Sequence, residues 1–173
     1  MVAVGVVTRI GLERLALGLP TPLYGVLVKV GLTETLAFVS GFVFGPAMGF
    51  LSGAMIIVIS DLFTMPGPWT PFIAAIIGIF GLGGSAIRRL HGERSVLALG
   101  AFAVLLTILS ELLQNAWFAW SFNIPIVTTL VMGAPSIVTA VVNNTILITT
   151  LGLKVIRLIQ STMPRSPGDA NAQ

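Results

Sequence analysis

Long uncharged apolar stretches fill most of the chain, and short polar or proline-rich turns separate them. No charged residue occurs at positions 35–60, 62–87 or 112–153. Each of these stretches is longer than the roughly 20 apolar residues that one transmembrane helix needs. The pattern therefore predicts an all-α membrane protein, built as a bundle of transmembrane helices.

Proline and glycine divide these stretches into six predicted helices, because proline cannot continue a helix interior and biases its predecessor towards extended backbone. Residues 1–160 form the predicted six-helix transmembrane domain. Residues 161–173 are polar and contain proline, which predicts a disordered cytoplasmic tail. An uncharged connection through Asn123, Pro125 and Gly133 is predicted on the outer side, before the last helix. The predicted helices cover residues 2–18, 26–44, 46–63, 71–87, 95–120 and 135–159.

The first predicted helix carries charges within an apolar stretch. Arg9 and Glu13 stand one turn apart on it and can form an ion pair, which lowers the cost of placing charges in hydrocarbon. We therefore expect this helix to span the membrane. The alternative is an amphipathic helix that lies on the membrane surface.

A stripe of glycines surrounds the second predicted turn. Such a stripe lets helix backbones approach closely, as membrane helix packing requires. If the chain reverses at Gly45-Pro46, the stripe allows the two legs of a helical hairpin to touch. A single bent helix is the competing interpretation. The stripe consists of Gly41, Gly45, Gly49 and Gly53.

Composition and charge agree with a membrane location and indicate an orientation. The chain is 55% hydrophobic and 9% charged, against roughly 25% charged in soluble domains. The net charge of +3 comes from basic residues at segment ends, without a basic run among aromatics, so no nucleic-acid partner is expected. The positive-inside rule then places two basic regions in the cytoplasm. The two basic regions hold Arg88, Arg89 and Arg94, and Lys154, Arg157 and Arg165.

The sequence lacks the residues that most enzyme chemistries need. It contains no cysteine and one histidine, which excludes disulfides and thiolate metal sites and leaves no histidine cluster. It has no phosphate-binding loop with its lysine, no paired-histidine metal helix and no serine nucleophile elbow. We therefore expect neither an enzyme nor a metal or cofactor.

The fifth predicted helix carries one polar face, whose side chains need a partner because an isolated polar group costs several kcal/mol in hydrocarbon. Trp117 and Trp120 are predicted to fall on the other side and to serve as interfacial anchors rather than ligand contacts. The polar face consists of Thr107, Glu111, Gln114, Asn115 and Phe118.

Two interpretations of this polar face remain open. Glu111 and Asn115 either contact a ligand or form interhelical hydrogen bonds with Asn143 or Asn144, as polar groups in membrane bundles do. A second polar stripe on the sixth predicted helix could meet the first. That stripe consists of Ser136, Thr139, Asn143 and Thr150.

Two carboxylates lie near helix ends. Asp61 is predicted at the C-terminal end of the third helix, where the helix dipole disfavours it, so a ligand cation, a basic side chain or water must compensate it. Glu34 is predicted near the N-terminal end of the second helix, where negative charge is favoured, and a structural role is expected. Three prolines among residues 66–71 predict a stiff loop around Trp69.

Two motifs resemble the substrate-binding S components of energy-coupling factor (ECF) transporters. The first is residues 41–54, which read Gly-Phe-Val-Phe-Gly-Pro-Ala-Met-Gly-Phe-Leu-Ser-Gly-Ala. The second is Asp-Leu-Phe at 61–63 followed by Pro-Gly-Pro-Trp-Thr-Pro-Phe at 66–72. They occur in the family's order and spacing, and a looser resemblance continues through residues 111–144.

The resemblance implies a prokaryotic plasma-membrane protein of six helices with both termini in the cytoplasm, which captures a vitamin or similar micronutrient from outside. It also implies a membrane scaffold subunit and two cytoplasmic ATPases as partners. The family's pocket lies among the outer loops after helices one, three and five and the outer halves of helices four to six. The positions in those regions are Tyr24, Asp61, Trp69, Thr70, Phe72, Glu111, Asn115, Phe118, Asn123 and Asn143.

The sequence departs from the family at the first helix. Many S components dock their scaffold through an Ala-x-x-x-Ala motif there, which this helix lacks, although Ala3 and Gly5 are small. The chain leaves thiamine, flavins, biotin, corrinoid fragments and queuosine precursors open as substrates. The alternative function is a membrane scaffold or assembly protein whose polar residues serve only helix packing.

Overall fold

Six helices make up the described part of the chain. The computed structural model describes residues 1–16, 30–90 and 95–162, and these ranges contain no strand. The last helix includes a π-helical turn at Ile148–Gly152 and continues beyond it. The helices are α1 Val2–Ala16, α2 Leu32–Phe44, α3 Pro46–Phe63, α4 Thr70–Leu90, α5 Val96–Phe122 and α6 Ile126–Thr162.

The reversal between α2 and α3 confirms the predicted hairpin and excludes a single bent helix. Gly45 ends α2 with a φ of 97°, a backbone conformation that glycine adopts without steric cost, and Pro46 opens α3. Asp61 lies in the last turn of α3, as predicted, and Glu34 in the first turn of α2. Residues 26–29, the predicted beginning of the second helix, lie outside the described residues.

The prediction for the last helix was wrong at its beginning. The helix starts at Ile126, directly after Pro125, and Pro135 lies in its interior. The connection from α5 is therefore a turn at residues 123–125 and not a loop that reaches Pro135. Proline is tolerated inside a membrane helix when neighbouring helices support the backbone. Here Gly133 packs directly on Asn115 of α5, so helix packing overrides the local signal of Pro135.

Helix α2 lies at the centre and packs on α1, α3, α4 and α6. Three glycines, one from each helix, let α2, α3 and α4 meet backbone to backbone. A Cβ atom on Gly41 would lie 1.7 Å from the carbonyl oxygen of Gly81, and one on Gly49 would lie 2.4 Å from the Cα of Gly41. We call Gly41, Gly49 and Gly81 the glycine junction. The contact between Gly41 and Gly49 confirms that the glycine stripe joins the legs of the hairpin.

The apolar core surrounds the glycine junction. Its largest fully buried side chains are Phe38 and Phe42 of α2 and Phe80 of α4. Burying a side chain of this kind contributes roughly 1.5–3 kcal/mol in water, and in a bilayer close packing takes over that role. The core therefore belongs mainly to α2 and α4, with α5 and α6 closing it through Leu99 and Ile148.

Contacts between the helices show that α1, α3 and α5 run one way and α2, α4 and α6 the other. The pairs that establish this are Gly5 with Ile56 and Arg9 with Asp61, Gly41 with Gly49 and Ala37 with Gly53, Gly49 with Gly81 and Gly53 with Ile77, Gly31 with Asn144 and Val39 with Gly152, and Gly100 with Thr149 and Asn115 with Gly133. At one end Arg88 donates two hydrogen bonds of 2.9 Å to the carbonyl oxygens of Phe42 and Val43. That end, the basic end, also carries Arg89, Lys154 and Arg157.

Four helices are long and apolar enough to cross a membrane: α3, α4, α5 and α6. Helix α2 is apolar but has 13 residues, and α1 has 15, so their spanning stays a prediction. Large apolar side chains such as Leu97 (86% exposed) and Met132 (77% exposed) cover the surface. Soluble monomers rarely expose apolar surface on this scale. Apolar helices of this length, with this much exposed apolar surface, are compatible with a membrane protein.

Gly41→Ala is expected to destabilise the fold severely. The added methyl group meets backbone atoms that cannot move aside, so the cost exceeds the roughly 1–3 kcal/mol typical of overpacking. Thermal unfolding in detergent, followed by circular dichroism, measures the loss. Gly11→Ala is the matched control, since no described atom lies within 4 Å of its new methyl group. Equal stability of the two variants would contradict backbone contact at the junction.

Candidate functional site

Three adjoining hollows occupy the end of the bundle opposite the basic end. The first, the polar cavity, has a volume of about 190 Å³ and lies among α1, α2, α3, α4 and α5. Charged side chains of α1 and the first turn of α2 supply its polarity, and isoleucines of α3 and α4 form its apolar wall. Its lining is Arg9, Leu12, Glu13, Gly31, Leu32, Thr33, Glu34, Ile57, Ile73, Ile77 and Gln114.

The second hollow, the aromatic groove, has a volume of about 310 Å³ and lies between the beginning of α4 and the end of α5. The rings of Phe72 and Trp117 stack across it with centroids 5.7 Å apart. Phe118 and Phe122 pack on each other at 4.5 Å along one side. The groove is lined by Trp69, Phe72, Ile73, Gln114, Trp117, Phe118 and Phe122.

The third hollow, the loop cleft, has a volume of about 390 Å³ and lies beside the loop between α3 and α4. It shares Trp69 with the aromatic groove, and Arg9 and Glu13 with the polar cavity. The three hollows therefore adjoin one another around these side chains and together make up the candidate site. The cleft is lined by Arg9, Glu13, Arg14, Asp61, Phe63, Thr64, Met65 and Trp69.

A buried carboxylate organises this end of the molecule. Asp61 is 2% exposed; one carboxylate oxygen accepts a hydrogen bond of 2.7 Å from the Arg9 guanidinium, and the other accepts one of 2.6 Å from the Thr70 hydroxyl. The same Arg9 nitrogen also donates to the hydroxyl of Ser60. Asp61 of α3 thereby ties α1 to α4. Of the three compensations expected for this carboxylate, the structure shows a basic side chain.

Thr70 also restrains the loop between α3 and α4 through two hydrogen bonds, one of which involves its hydroxyl. The hydroxyl accepts a hydrogen bond of 3.2 Å from the Gly67 amide, and the Thr70 amide donates one of 3.0 Å to the Gly67 carbonyl. The Trp69 ring lies over Gly67, where a Cβ atom would be 2.4 Å from it. Asp61 and Thr70, predicted as substrate contacts, thus direct their hydrogen bonds to protein groups and fix the position of Trp69.

The ion pair predicted within the first helix is confirmed. Arg9 donates to Glu13 at 3.1 Å while it also contacts Asp61 at 2.7 Å, so one guanidinium lies between two carboxylates. The Arg9 and Glu13 side chains are each 20% exposed. Pairing of this kind is what allows ionisable groups within a membrane bundle.

The structure brings five of the ten predicted site residues to the hollows. They are Asp61, Trp69, Thr70, Phe72 and Phe118, with Thr70 joining through its bond to Asp61.

The other predicted site residues lie elsewhere. Asn115 packs against Gly133 of α6 and donates 2.8 Å to the Glu111 carbonyl, and Asn123 caps α5 in the left-handed conformation. Glu111 is buried, Asn143 is half-buried on α6, and neither is among the lining residues given above. Tyr24 lies outside the described residues.

The assignment of Trp117 to the opposite side of α5 was wrong. Trp117 lies three positions after Gln114, so the two side chains share a face, and its ring stacks on Phe72. Trp120, in contrast, is 81% exposed, as an interfacial anchor would be. Gln114 and Ile73 also line the site although neither was predicted there. Gln114 could have been predicted there, since it belongs to the polar face that the sequence indicates on this helix.

Helices α5 and α6 are joined by a polar contact. The sequence predicted an interhelical hydrogen bond of this type, but with Glu111 or Asn115 as the partner on α5. The Asn144 amide donates a hydrogen bond of 3.1 Å to the Thr107 hydroxyl, and both side chains are buried. The amide oxygen of Asn144 lies against Gly31, where a Cβ atom would be 1.8 Å away. Gly31 begins α2 with a φ of 76°, so this contact sets where α2 begins beside the polar cavity.

A scan against protein-family models and searches of curated proteins and solved structures find no match to this chain. Evidence for the function therefore comes from the residues and geometry of the site. In the described ranges, no three His, Cys, Asp or Glu side chains come together as a metal site requires. The hollows offer ring faces, one amide and a few paired charges, an arrangement suited to binding a small molecule by stacking and hydrogen bonding.

Asp61→Leu is expected to destabilise the protein by on the order of 3 kcal/mol, because removing one partner leaves the Arg9 charge without its main acceptor. The double variant Arg9→Leu, Asp61→Leu should recover part of this loss, since it removes both of these charges but also takes away the ion-pair partner of Glu13. Thermal unfolding in detergent measures both. Arg14→Leu, on the exposed side of α1, is the control and should change little. If Asp61→Leu unfolds like the wild type, Asp61 does not hold the helices together.

Proposed function

We propose that this chain is the substrate-binding subunit of an ECF-type importer, which captures a vitamin or related micronutrient outside the cell. The observation that carries the proposal is the aromatic groove adjoining the polar cavity at one end of an apolar helical bundle. A scaffold subunit and two ATPases would supply the energy, because this chain has no nucleotide-binding motif of its own.

The groove geometry favours a flat substrate. Phe72 and Trp117 are in direct ring contact at 5.7 Å, and a third ring between them would need about 7 Å, twice the usual carbon contact distance. A ring therefore binds against the pair, on the side that Trp69 and Phe118 border. Aromatic stacking of this kind stabilises by roughly 0.5–1.5 kcal/mol per pair beyond the apolar area buried.

The distribution of charge favours a groove that faces outward. In the described ranges, Arg88, Arg89, Lys154 and Arg157 lie at the basic end, which the positive-inside rule places in the cytoplasm. The aromatic groove lies at the other end. With six spans, both termini would be cytoplasmic and the loop that carries Trp69 would face outside, as capture of an external nutrient requires.

Helix α1 offers the face that would contact a scaffold subunit. Gly5 is not available for docking, because a Cβ atom there would lie 2.5 Å from the Ile56 side chain of α3. Ala3, Val4 and Val7 are exposed on α1. We propose that this apolar strip takes the place of the Ala-x-x-x-Ala motif that the first helix lacks.

A membrane scaffold or assembly protein is the second candidate, and the internal use of several polar groups favours it. Arg9 with Asp61, and Thr107 with Asn144, all bond within the protein. Substitution of Gln114 and Trp117, which line the aromatic groove, separates the two functions. Loss of uptake by a normally folded variant would favour transport, whereas loss of the folded assembly would favour the scaffold.

Purified protein is expected to gain thermal stability with at least one of thiamine, riboflavin, adenosine, queuine or biotin, because a ligand that binds only the folded state stabilises it. Trp117→Ala should weaken that binding about tenfold through loss of the stacked ring. Trp120→Ala is the matched control, since that ring is 81% exposed and lies outside the groove. Equal affinities of the two variants would place the substrate elsewhere.

The lipid environment needs a separate control, because an acyl chain could also fill an apolar groove. The same measurements are therefore made in nanodiscs of a single phospholipid. A folded sample that none of the five compounds stabilises, in detergent or in nanodiscs, would contradict the proposed function.

A further inference from the structure

Two side chains border both the aromatic groove and the polar cavity. Ile73 of α4 and Gln114 of α5 line each of them, and both side chains are half-buried. The two hollows are thus neighbours at these two side chains, with ring faces on one side and charged and backbone groups on the other. Gln114 is the polar side chain at this point, and it has both an amide donor and a carbonyl acceptor.

We propose that the site is bipartite and that Gln114 determines its specificity. A planar ring of the substrate lies in the aromatic groove, and a hydrogen-bonding substituent passes Gln114 into the polar cavity. The proposal rests on the proposed substrate-binding function and goes further by naming the substrate class. That class is an aromatic heterocycle joined to a polar, hydroxyl- or amine-bearing chain.

The volumes support this division. Ligand pockets usually measure about 300–1,000 Å³. The polar cavity, with about 190 Å³, is too small for a whole vitamin and suits a substituent. The groove, with about 310 Å³, lies at the lower end of that range and suits a ring system. A substrate that fills both hollows passes Ile73 and Gln114, which line each of them.

The side chains that line the aromatic groove and the polar cavity also support a bipartite site. Apart from Gln114 and the indole N–H groups, the described side chains of the groove lining carry no polar atom, so the groove binds a ring without selecting its substituents. The polar cavity presents the Arg9–Glu13 pair and the first turn of α2. An apolar substituent there would leave these groups without water, which costs free energy. The cavity thereby selects for a polar chain.

The test compares intact compounds with their ring fragments. The probes are riboflavin with lumichrome, adenosine with adenine, and thiamine with its aminopyrimidine fragment. Binding is followed by tryptophan fluorescence in nanodiscs with the Trp120→Phe protein, in which Trp69 and Trp117 of the groove are the remaining tryptophans. In the best-binding pair, the intact compound should bind at least tenfold more tightly than its fragment.

Gln114→Leu should then lower the affinity for the intact compound about tenfold and change that for the ring fragment less than twofold. Gln114→Asn, which keeps the amide but shortens its reach, should give an intermediate loss and also serves if the leucine variant fails to fold. Gln160→Leu is the matched control, because Gln160 is exposed near the end of α6, away from the hollows.

The possible failures are distinguishable. If intact compounds bind but their fragments bind equally well, or if Gln114→Leu weakens both alike, the bipartite site is wrong and the binding function stands. If no intact compound binds to folded protein, the proposed function fails and the bipartite site fails with it. If Gln160→Leu has the same effect as Gln114→Leu, the loss is not specific to the site.

Discussion

The bond between a carboxylate of α3 and a guanidinium of α1 is the interaction on which this end of the molecule depends. Asp61 is buried in an apolar bundle, where a lone charge is costly, so its oxygens must be occupied. Arg9 and Thr70 occupy them from two different helices. This requirement fixes α1 beside α3, fixes the start of α4, and holds Trp69 over Gly67. The need to pair the buried charge of Asp61 thereby positions Arg9 and Trp69, which between them line all three hollows.

The glycine junction has the complementary role near the reversal between α2 and α3. Where Gly41, Gly49 and Gly81 meet, α2, α3 and α4 cannot separate further without losing contact, nor approach further without overlap. The helices are thus held tightly at the level of the junction. Towards the end that carries Asp61, larger side chains keep them apart, and the polar cavity lies there. The helices pack closely at the glycine junction because its residues have no side chain, and they leave space for the polar cavity where the side chains are larger.

Local chemistry explains which parts of the structure could be predicted. Gly45 and Pro46 specify the reversal through their own backbone preferences, and Arg9 and Glu13 pair because they are one turn apart. The beginning of α6 could not be predicted, because Pro135 reads as a helix boundary. Only the contact between Gly133 and Asn115, distant in the sequence, shows why the helix continues through it.

In the candidate site, too, local features could be predicted, whereas contacts between residues distant in the sequence could not. The loop that carries Trp69 could be predicted from its prolines, and its aromatic neighbours Phe72 and Phe118 lie beside it as expected. Trp117 was misplaced because its proximity to the helix end suggested an anchor, whereas its direction is set by the Phe72 ring of another helix. Asp61 and Thr70 lie beside the hollows, but a sequence cannot show that Asp61 bonds to both Arg9 and Thr70.

The internal pairing of these charges has a consequence for recognition. Because Asp61 and Arg9 are already bonded within the protein, neither provides an isolated charge for a substrate to neutralise. Selectivity then comes from weaker groups that a substrate must satisfy, above all the half-buried amide of Gln114. A buried amide left without a partner costs roughly 1–3 kcal/mol, which corresponds to about ten- to a hundredfold in affinity. Selection through such a group depends on the shape and hydrogen bonds of the substrate more than on its charge.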